Sequence, residues 1–161
     1  MFPRFANGRM ELAVSARDAS DLKTLAELEP GSYYITPRWS FDDRLVAYQR
    51  GTGRAFDIFV VSTEAEGGQS RQITQRGARL EGLTWAPERA RLIFSSSQGA
   101  TIFYLPATNL WRVEADGTGL QQLTFGEASY AYPDANSSGT LVVSRVQRQF
   151  VSAHLKPHKS G

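Results

Sequence analysis

An internal repeat is the feature that most constrains how this chain can fold. The segment Trp39 to Tyr48 (WSFDDRLVAY) aligns without a gap with Trp85 to Phe94 (WAPERARLIF), at an offset of 46 residues. A weaker third copy, Ala135 to Ser144, follows at an offset of 50 residues and carries alanine in place of the tryptophan. Periods of about 20 to 50 residues are typical of solenoids and propellers. We therefore expect a stack of similar units.

A second repeated unit lies between these copies, since Phe56 to Thr74 resembles Thr108 to Thr124. Each unit has a strand-like run, then a glycine turn (Gly67-Gly68 or Asp116-Gly117), then a short polar stretch ending in Ile-Thr or Leu-Thr. Strand formers on both sides of a glycine turn predict a β-hairpin. The repeat therefore predicts small antiparallel sheets.

The start of the chain holds a more distant copy, with Phe5 to Val14 as the turn and strand and Asp21 to Leu25 as the next strand. A helix competes for the second segment, because Ser20 could cap it and Pro30 would end it. We favour the strand, because β-structure is predicted for the residues that follow.

The composition is that of a folded domain with a balanced surface. The chain has 161 residues, 41% of them hydrophobic and 21% charged, with a net charge of +2. The basic residues are scattered, so no nucleic-acid surface is expected. No cysteine is present, which excludes disulfides, thiolate nucleophiles and cysteine-bound zinc.

Two segments bear on membranes and secretion. Residues 92–111 carry no charge over 20 residues, but they contain serines, polar amides and Pro106, so we expect no membrane insertion. The first ten residues, MFPRFANGRM, lack a continuous apolar stretch, so we expect no signal peptide in this chain.

The residues that could carry chemistry are few. His154 and His158 have metal-ligand spacing, but Pro157 opposes a helix there, so we expect a disordered basic tail over residues 151–161 and no metal site. No G-x-S-x-G or G-x-G-x-x-G motif occurs, so neither serine hydrolysis nor a nucleotide cofactor is expected. The carboxylates fall at repeated turn positions, and turn chemistry is the simpler interpretation.

The repeated pattern resembles the blades of TolB-type, WD-repeat-like β-propellers. Its elements are W-[SA]-[FP]-[DE], then an Asp or Asn before a short strand, a glycine turn and [IL]-T. The residues that carry this repeat signature are Trp39, Asp42, Asp57, Phe59, Thr74, Trp85, Pro87, Glu88, Asn109, Trp111, Asp116, Gly117 and Thr124. We expect the tryptophans among them to pack between blades rather than to bind a ligand.

The resemblance implies an all-β chain, a partial β-propeller of about three to four antiparallel four-stranded blades. It divides the chain into a degenerate first blade (1–34), two blades (35–84 and 85–134) and the start of another (135–150). Propellers close into rings, so this resemblance also implies a fragment of a larger protein or self-association through open blade edges.

The function implied by the resemblance is that of a non-catalytic scaffold that binds a protein or peptide, with no cofactor. The alternative is the propeller part of a prolyl oligopeptidase-like or dipeptidyl peptidase-like serine hydrolase, whose catalytic domain would lie elsewhere. The resemblance also favours a periplasmic or other extracytoplasmic location. The coding sequence after residue 150 would discriminate between the two functions.

Overall fold

The computed structural model describes residues 2–6, 9–27, 29–64, 69–88, 90–100, 107–126 and 128–147. Within these ranges all regular structure is β, in four antiparallel sheets of three, four, four and two strands. The prediction of an all-β chain of small antiparallel sheets is confirmed. Over the same ranges, no helix is long and apolar enough to cross a membrane.

The first sheet contains β1 (Phe2–Ala6), β2 (Arg9–Val14) and β3 (Lys23–Glu27), in that order. The strand predicted near residue 23 is confirmed, and the competing helix is not formed. Strand β3 pairs with β2, and Leu12 lies opposite Ala26 in this pairing. Packing against a neighbouring strand outweighs the helix-capping signal of Ser20.

The second sheet contains β4 (Tyr33–Trp39), β5 (Leu45–Thr52), β6 (Ala55–Ser62) and β7 (Arg71–Gln72), in that order. Strands β5 and β6 pair over their whole length, with Thr52 opposite Ala55 at the hairpin end. The two residues between them form a tight turn in which Gly53 has a φ of 61°, a conformation that glycine adopts at little cost.

The third sheet repeats this order with β8 (Leu80–Ala86), β9 (Arg91–Ser96), β10 (Asn109–Glu114) and β11 (Gln121–Gln122). The uncharged window at residues 92–111 therefore contains most of one strand and the start of another. The glycine of the turn after β10, Gly117, has a φ of 89°, as the hairpin prediction requires.

The fourth sheet contains β12 (Ser129–Ala135) and β13 (Leu141–Val146), which pair with each other. Strand β12 also packs against β8, β9 and β10 of the third sheet. Gly67-Gly68, predicted as a turn, and residues 151–161, predicted as a tail, lie outside the described residues.

Alternating side chains of the second sheet give the molecule two apolar cores. Along β5, Val46 and Tyr48 face the first sheet, whereas Ala47 faces the third, because successive strand residues point to opposite faces. We call the core between the first and second sheets the first interface: Leu12, Leu25, Ala26, Val46, Tyr48 and Val61. We call the core between the second and third sheets the second interface: Ala47, Ile58, Val60, Ile73, Leu83, Trp85, Leu92, Phe94, Val113 and Ala115.

Candidate functional site

The first strand of the second, third and fourth sheets carries a β-bulge at the same repeat position. The strand register shifts between Ile35 and Arg38 in β4, between Leu80 and Leu83 in β8, and between Ala131 and Asp134 in β12. Each bulge contains one residue with a positive φ: Thr36 at 48°, Gly82 at 97° and Tyr132 at 53°. These three residues are spaced by the 46 and 50 residues of the sequence repeat.

Two of these three residues hold a backbone conformation that is costly for them. A β-branched or aromatic side chain at positive φ is strained by about 1 to 3 kcal/mol, and such strain clusters at binding sites. Glycine suits position 82 for two reasons. Its φ is positive, and a Cβ atom there would lie 3.0 Å from the Cα atom of Tyr132. The bulges at Gly82 and Tyr132 therefore fix how closely the third and fourth sheets approach.

The three bulges border a cleft of about 400 Å³ at one end of the second interface. A cleft of this size falls at the lower end of the range for small-ligand sites, about 300 to 1,000 Å³. The residues that determine its chemistry are Thr36, Gln49, Arg54, Arg79, Glu81 and Tyr132. We call this site the bulge cleft.

Two buried polar atoms in the bulge cleft lack a hydrogen-bond partner. Gln49 is 1% exposed, and neither its Nε2 atom nor the Oγ1 atom of Thr36 is bonded to any described residue. Over the described residues, only two further buried side-chain atoms share this condition, Ser70 Oγ and Trp111 Nε1. Because a buried donor without an acceptor costs about 1 to 3 kcal/mol, this concentration in one cavity requires an explanation.

The charges of the bulge cleft are unequal. Arg79 and Glu81 form an ion pair, in which Glu81 is the more buried partner. Arg54 lies at the tip of the β5–β6 turn and is exposed. The described residues offer it no ion-pair partner. The lining of the cleft therefore has two cationic side chains, Arg54 and Arg79, and one anionic side chain, Glu81.

Comparison with solved structures identifies the fold. TolB from Agrobacterium tumefaciens superimposes with a TM-score of 0.69 at 20% identity, over 88% of this chain and 48% of TolB. TolB from Acinetobacter baumannii gives 0.69 at 15% identity, over 93% of this chain and 35% of that one. The chain has the TolB-type β-propeller fold.

An enzyme structure shares the same architecture. A puromycin hydrolase superimposes with a TM-score of 0.68 at 16% identity, over 89% of this chain and 25% of the hydrolase. No family model and no curated protein matches the sequence. The chain thus spans about half or less of each of these propeller proteins, and it forms a partial propeller.

Within this propeller fold, the Asp or Asn and the Thr of the repeat signature form one recurring hydrogen-bond unit. Thr74 Oγ1 donates to Asp57 Oδ1 at 2.9 Å and accepts from the backbone N–H of Ile58. Thr124 Oγ1 donates to Asn109 Oδ1 at 3.1 Å and accepts from the N–H of Leu110. In both blades the unit ties the third strand to the segment after the fourth, so these residues have a structural role.

The three signature tryptophans have different surroundings. Trp85 is 2% exposed, and its Nε1 atom donates to the backbone carbonyl of Arg38 in the preceding blade at 3.0 Å. Trp111 packs half-buried against the second interface. Trp39 departs from the expected core packing, since it is 40% exposed. Its repeat position matches that of Trp85, but the first sheet contacts the second mainly through β3 and β6.

The carboxylates at turn positions are held by local hydrogen bonds. Hydrogen bonds from the Ser40 hydroxyl and the Arg44 N–H lower the pKa of the Asp42 carboxyl. The Thr118 hydroxyl and N–H lower the pKa of Asp116 in the same way. Both groups stay ionised as turn caps, and neither has the raised pKa that a general acid needs at neutral pH.

The remaining signature residues lie away from the bulge cleft. Phe59 stacks on Tyr48 with ring centroids 5.8 Å apart. Pro87 and Glu88 border a smaller cavity of about 250 Å³ at the Trp85 end of the second interface. Within the described ranges, no group of three or more His, Asp or Glu side chains could hold a metal ion. His154 and His158 lie outside those ranges.

The bulge cleft was missed at the sequence level, although a signal for part of it exists. Thr36, Gly82 and Tyr132 each stand three residues before the aligned positions Trp39, Trp85 and Ala135. The three residues at this repeat position differ in side chain, and one of them is glycine. This pattern is typical of a position where the backbone conformation, rather than the side chain, is constrained. Gln49 and Arg54 carry no such signal, because only the packing of the blades brings them together.

The division of the chain into blades is a proposal that the sheets now refine. The limits drawn after residues 84 and 134 fall within β8 and β12. We propose that the blades follow the sheets, with the second blade over residues 33–72, the third over 80–122 and a further one beginning at 129. Under this division each bulge lies in the first strand of its blade.

Proposed function

We propose that this chain is part of a non-catalytic propeller scaffold that binds a protein or peptide, and that the bulge cleft is part of its binding surface. The observation that carries the proposal is the pair of unpartnered polar atoms, Gln49 Nε2 and Thr36 Oγ1, in a cavity bordered by three bulges. Rigid sheets that hold a few polar groups in a concave site are the usual basis of ligand recognition.

Two further features support binding rather than catalysis. The turn carboxylates that could have formed an acid and base pair are engaged as caps. The aligned Asp57 and Asn109 are likewise engaged with threonines. A scaffold needs only a preorganised surface, which these hydrogen bonds stabilise.

A random peptide library tests this proposal. We expect the purified chain to enrich binding peptides, and the double variant Gln49→Met/Arg54→Gln to bind them at least about tenfold more weakly, the effect of losing roughly 1.4 kcal/mol. Arg44→Gln is the matched control, because it removes a cation from an exposed turn at the other end of the same blade. Absence of any enriched peptide, or equal binding by the double variant, would contradict the proposal.

A second candidate function is the propeller part of a serine hydrolase. The superposition on puromycin hydrolase favours it, since that enzyme shares the fold over 89% of this chain. The coding sequence beyond residue 161 tests it. A G-x-S-x-G nucleophile elbow encoded there would support the hydrolase, whereas further propeller repeats alone would support the scaffold.

Self-association through a blade edge is a further part of the proposal. Strand β13 has one strand partner among the described residues, and its Val142 and Val146 side chains are 66% and 51% exposed. Exposed apolar residues on a sheet edge favour pairing with another chain. The mass of the chain in solution tests this, because a monomer at all concentrations would exclude such pairing.

A further inference from the structure

The unpartnered donor of Gln49 restricts what can enter the bulge cleft. Gln49 is held by strand pairing on both sides, opposite Ile35 in β4 and Ile58 in β6. Its side chain is 1% exposed and lines the cleft, and its Nε2 atom has no acceptor among the described residues. A ligand oxygen that accepts this hydrogen bond would remove the cost of the buried donor.

The charge of the cleft selects among oxygen acceptors. Glu81 forms an ion pair with Arg79, and the Oε2 atom of Glu81 lies 3.5 Å from the Oγ1 atom of Thr108. Arg54 remains as an exposed guanidinium on the two-residue turn that borders the cleft. A guanidinium and a neutral donor together suit a carboxylate better than a carbonyl, because hydrogen bonds to ionised groups are roughly twice as strong.

The walls of the cleft favour a carboxylate presented on a larger molecule. Phe56 and Leu80 line it, and Tyr132 stands at its border with 67% of its surface exposed. Such apolar surface beside the polar groups can contact the neighbouring side chains of a peptide.

From these three observations we propose that the bulge cleft binds the carboxylate of an acidic peptide, with Gln49 Nε2 as hydrogen-bond donor and Arg54 as charge partner. This inference rests on the proposed function, because it assigns the chemistry of the same site. Both a glutamate side chain and a peptide C-terminus supply this group.

Four acetylated hexapeptides test the inference by fluorescence anisotropy. They are an alternating Glu-Ala peptide and an alternating Lys-Ala peptide, both C-terminally amidated, and an alternating Gln-Ala peptide with either a free or an amidated C-terminus. We expect the amidated Gln-Ala peptide to bind at least about tenfold more weakly than the better of the two carboxylate peptides. Whichever of those two binds more tightly identifies the source of the carboxylate.

Three variants locate the binding in the cleft. We expect Gln49→Met, which keeps the length of the side chain and removes the donor, to weaken carboxylate binding by at least about tenfold. Arg54→Gln, on an exposed turn, should weaken it about tenfold without affecting folding. Arg44→Gln should leave it unchanged, and equal weakening by Arg44→Gln and Arg54→Gln would overturn the proposal as unspecific charge attraction.

The outcomes separate this inference from the proposed function. If the amidated Gln-Ala or the Lys-Ala peptide binds as tightly as the carboxylate peptides, or if Gln49→Met does not weaken carboxylate binding, the carboxylate assignment is overturned while peptide binding stands. If no peptide binds and the random library also gives no enrichment, both are overturned.

Discussion

The two ends of the second interface differ in how their buried polar groups are satisfied. At one end, Trp85 is 2% exposed and its indole N–H donates across the interface to Arg38. At the other end, Gln49 is buried to the same degree, but its Nε2 atom has no acceptor among the described residues. Between them lies one continuous apolar core.

This difference indicates a division of roles along a single interface. Cross-blade bonds such as Trp85 to Arg38, and Arg71 to the carbonyl of Ala115 at 2.6 Å, hold the second and third blades together. A buried amide nitrogen without an acceptor contributes nothing of that kind and costs folding free energy. We interpret the Trp85 end as the stabilising end and, under the proposed function, the bulge cleft as the recognition end.

The largest expected effect follows from removing the tryptophan of the stabilising end. Trp85→Ala should lower the free energy of unfolding by about 3 to 5 kcal/mol, because it leaves a large cavity and an unpaired Arg38 carbonyl. Urea unfolding followed by far-UV circular dichroism measures this loss. Trp85→Phe, which keeps most of the volume but not the hydrogen bond, should lose about 1 to 2 kcal/mol.

Trp39→Ala is the matched control for this prediction. Trp39 occupies the aligned repeat position but is 40% exposed, so its removal should cost about 1 kcal/mol. Equal losses for Trp39→Ala and Trp85→Ala would show that the burial of Trp85 adds no stability, and the Trp85 end could not then be called the stabilising end.

An intermediate loss of unfolding free energy is expected when the hydrogen bonds of Asp57 are removed. Besides Thr74, Asp57 Oδ1 accepts from the backbone N–H groups of Arg76 and Gly77 at 2.8 and 3.2 Å. These residues begin the connection to Arg79 of the bulge cleft. Asp57→Ala should therefore lower the unfolding free energy by about 2 to 3 kcal/mol, measured in the same urea experiment.

The third blade supplies the control, because Asn109 Oδ1 accepts from Thr124 alone among the bonds within the described residues. Asn109→Ala should cost about 1 kcal/mol, since one hydrogen bond is lost rather than three. A larger loss for Asn109→Ala than for Asp57→Ala would show that the backbone bonds of Asp57 add no stability.

The repeat carried enough information to predict the fold. Tryptophan, turn and strand recur at fixed offsets, and the hairpin glycine Gly117 has the positive φ that its turn requires. Such features are local, because they depend on a few neighbouring residues and on the period of side-chain alternation. The strand β3 was also predictable, but only from the β-structure around it.

The candidate site could not be predicted in the same way. Trp39 and Trp85 share a sequence context but differ in burial, because burial depends on how closely each pair of blades packs. Gln49 is a polar residue in an apolar strand, which the repeat alone does not distinguish from a solvent-facing position. Gln49 is recognised as a site residue only in the folded chain, where it lines the same cleft as the bulge residues Thr36 and Gly82.

The smallest expected effect on stability is also the sharpest test of the comparison. Gln49→Met keeps the length of the side chain and removes the unpartnered amide, so the unfolding free energy should stay unchanged or rise by up to about 1 kcal/mol. The same urea experiment measures it. A loss of more than about 2 kcal/mol would mean that the Gln49 amide is satisfied in the folded chain, since a volume-conserving change that breaks no hydrogen bond usually costs less than about 1.5 kcal/mol. The cleft end would then be stabilising like the Trp85 end, and the division of roles along the second interface would not hold.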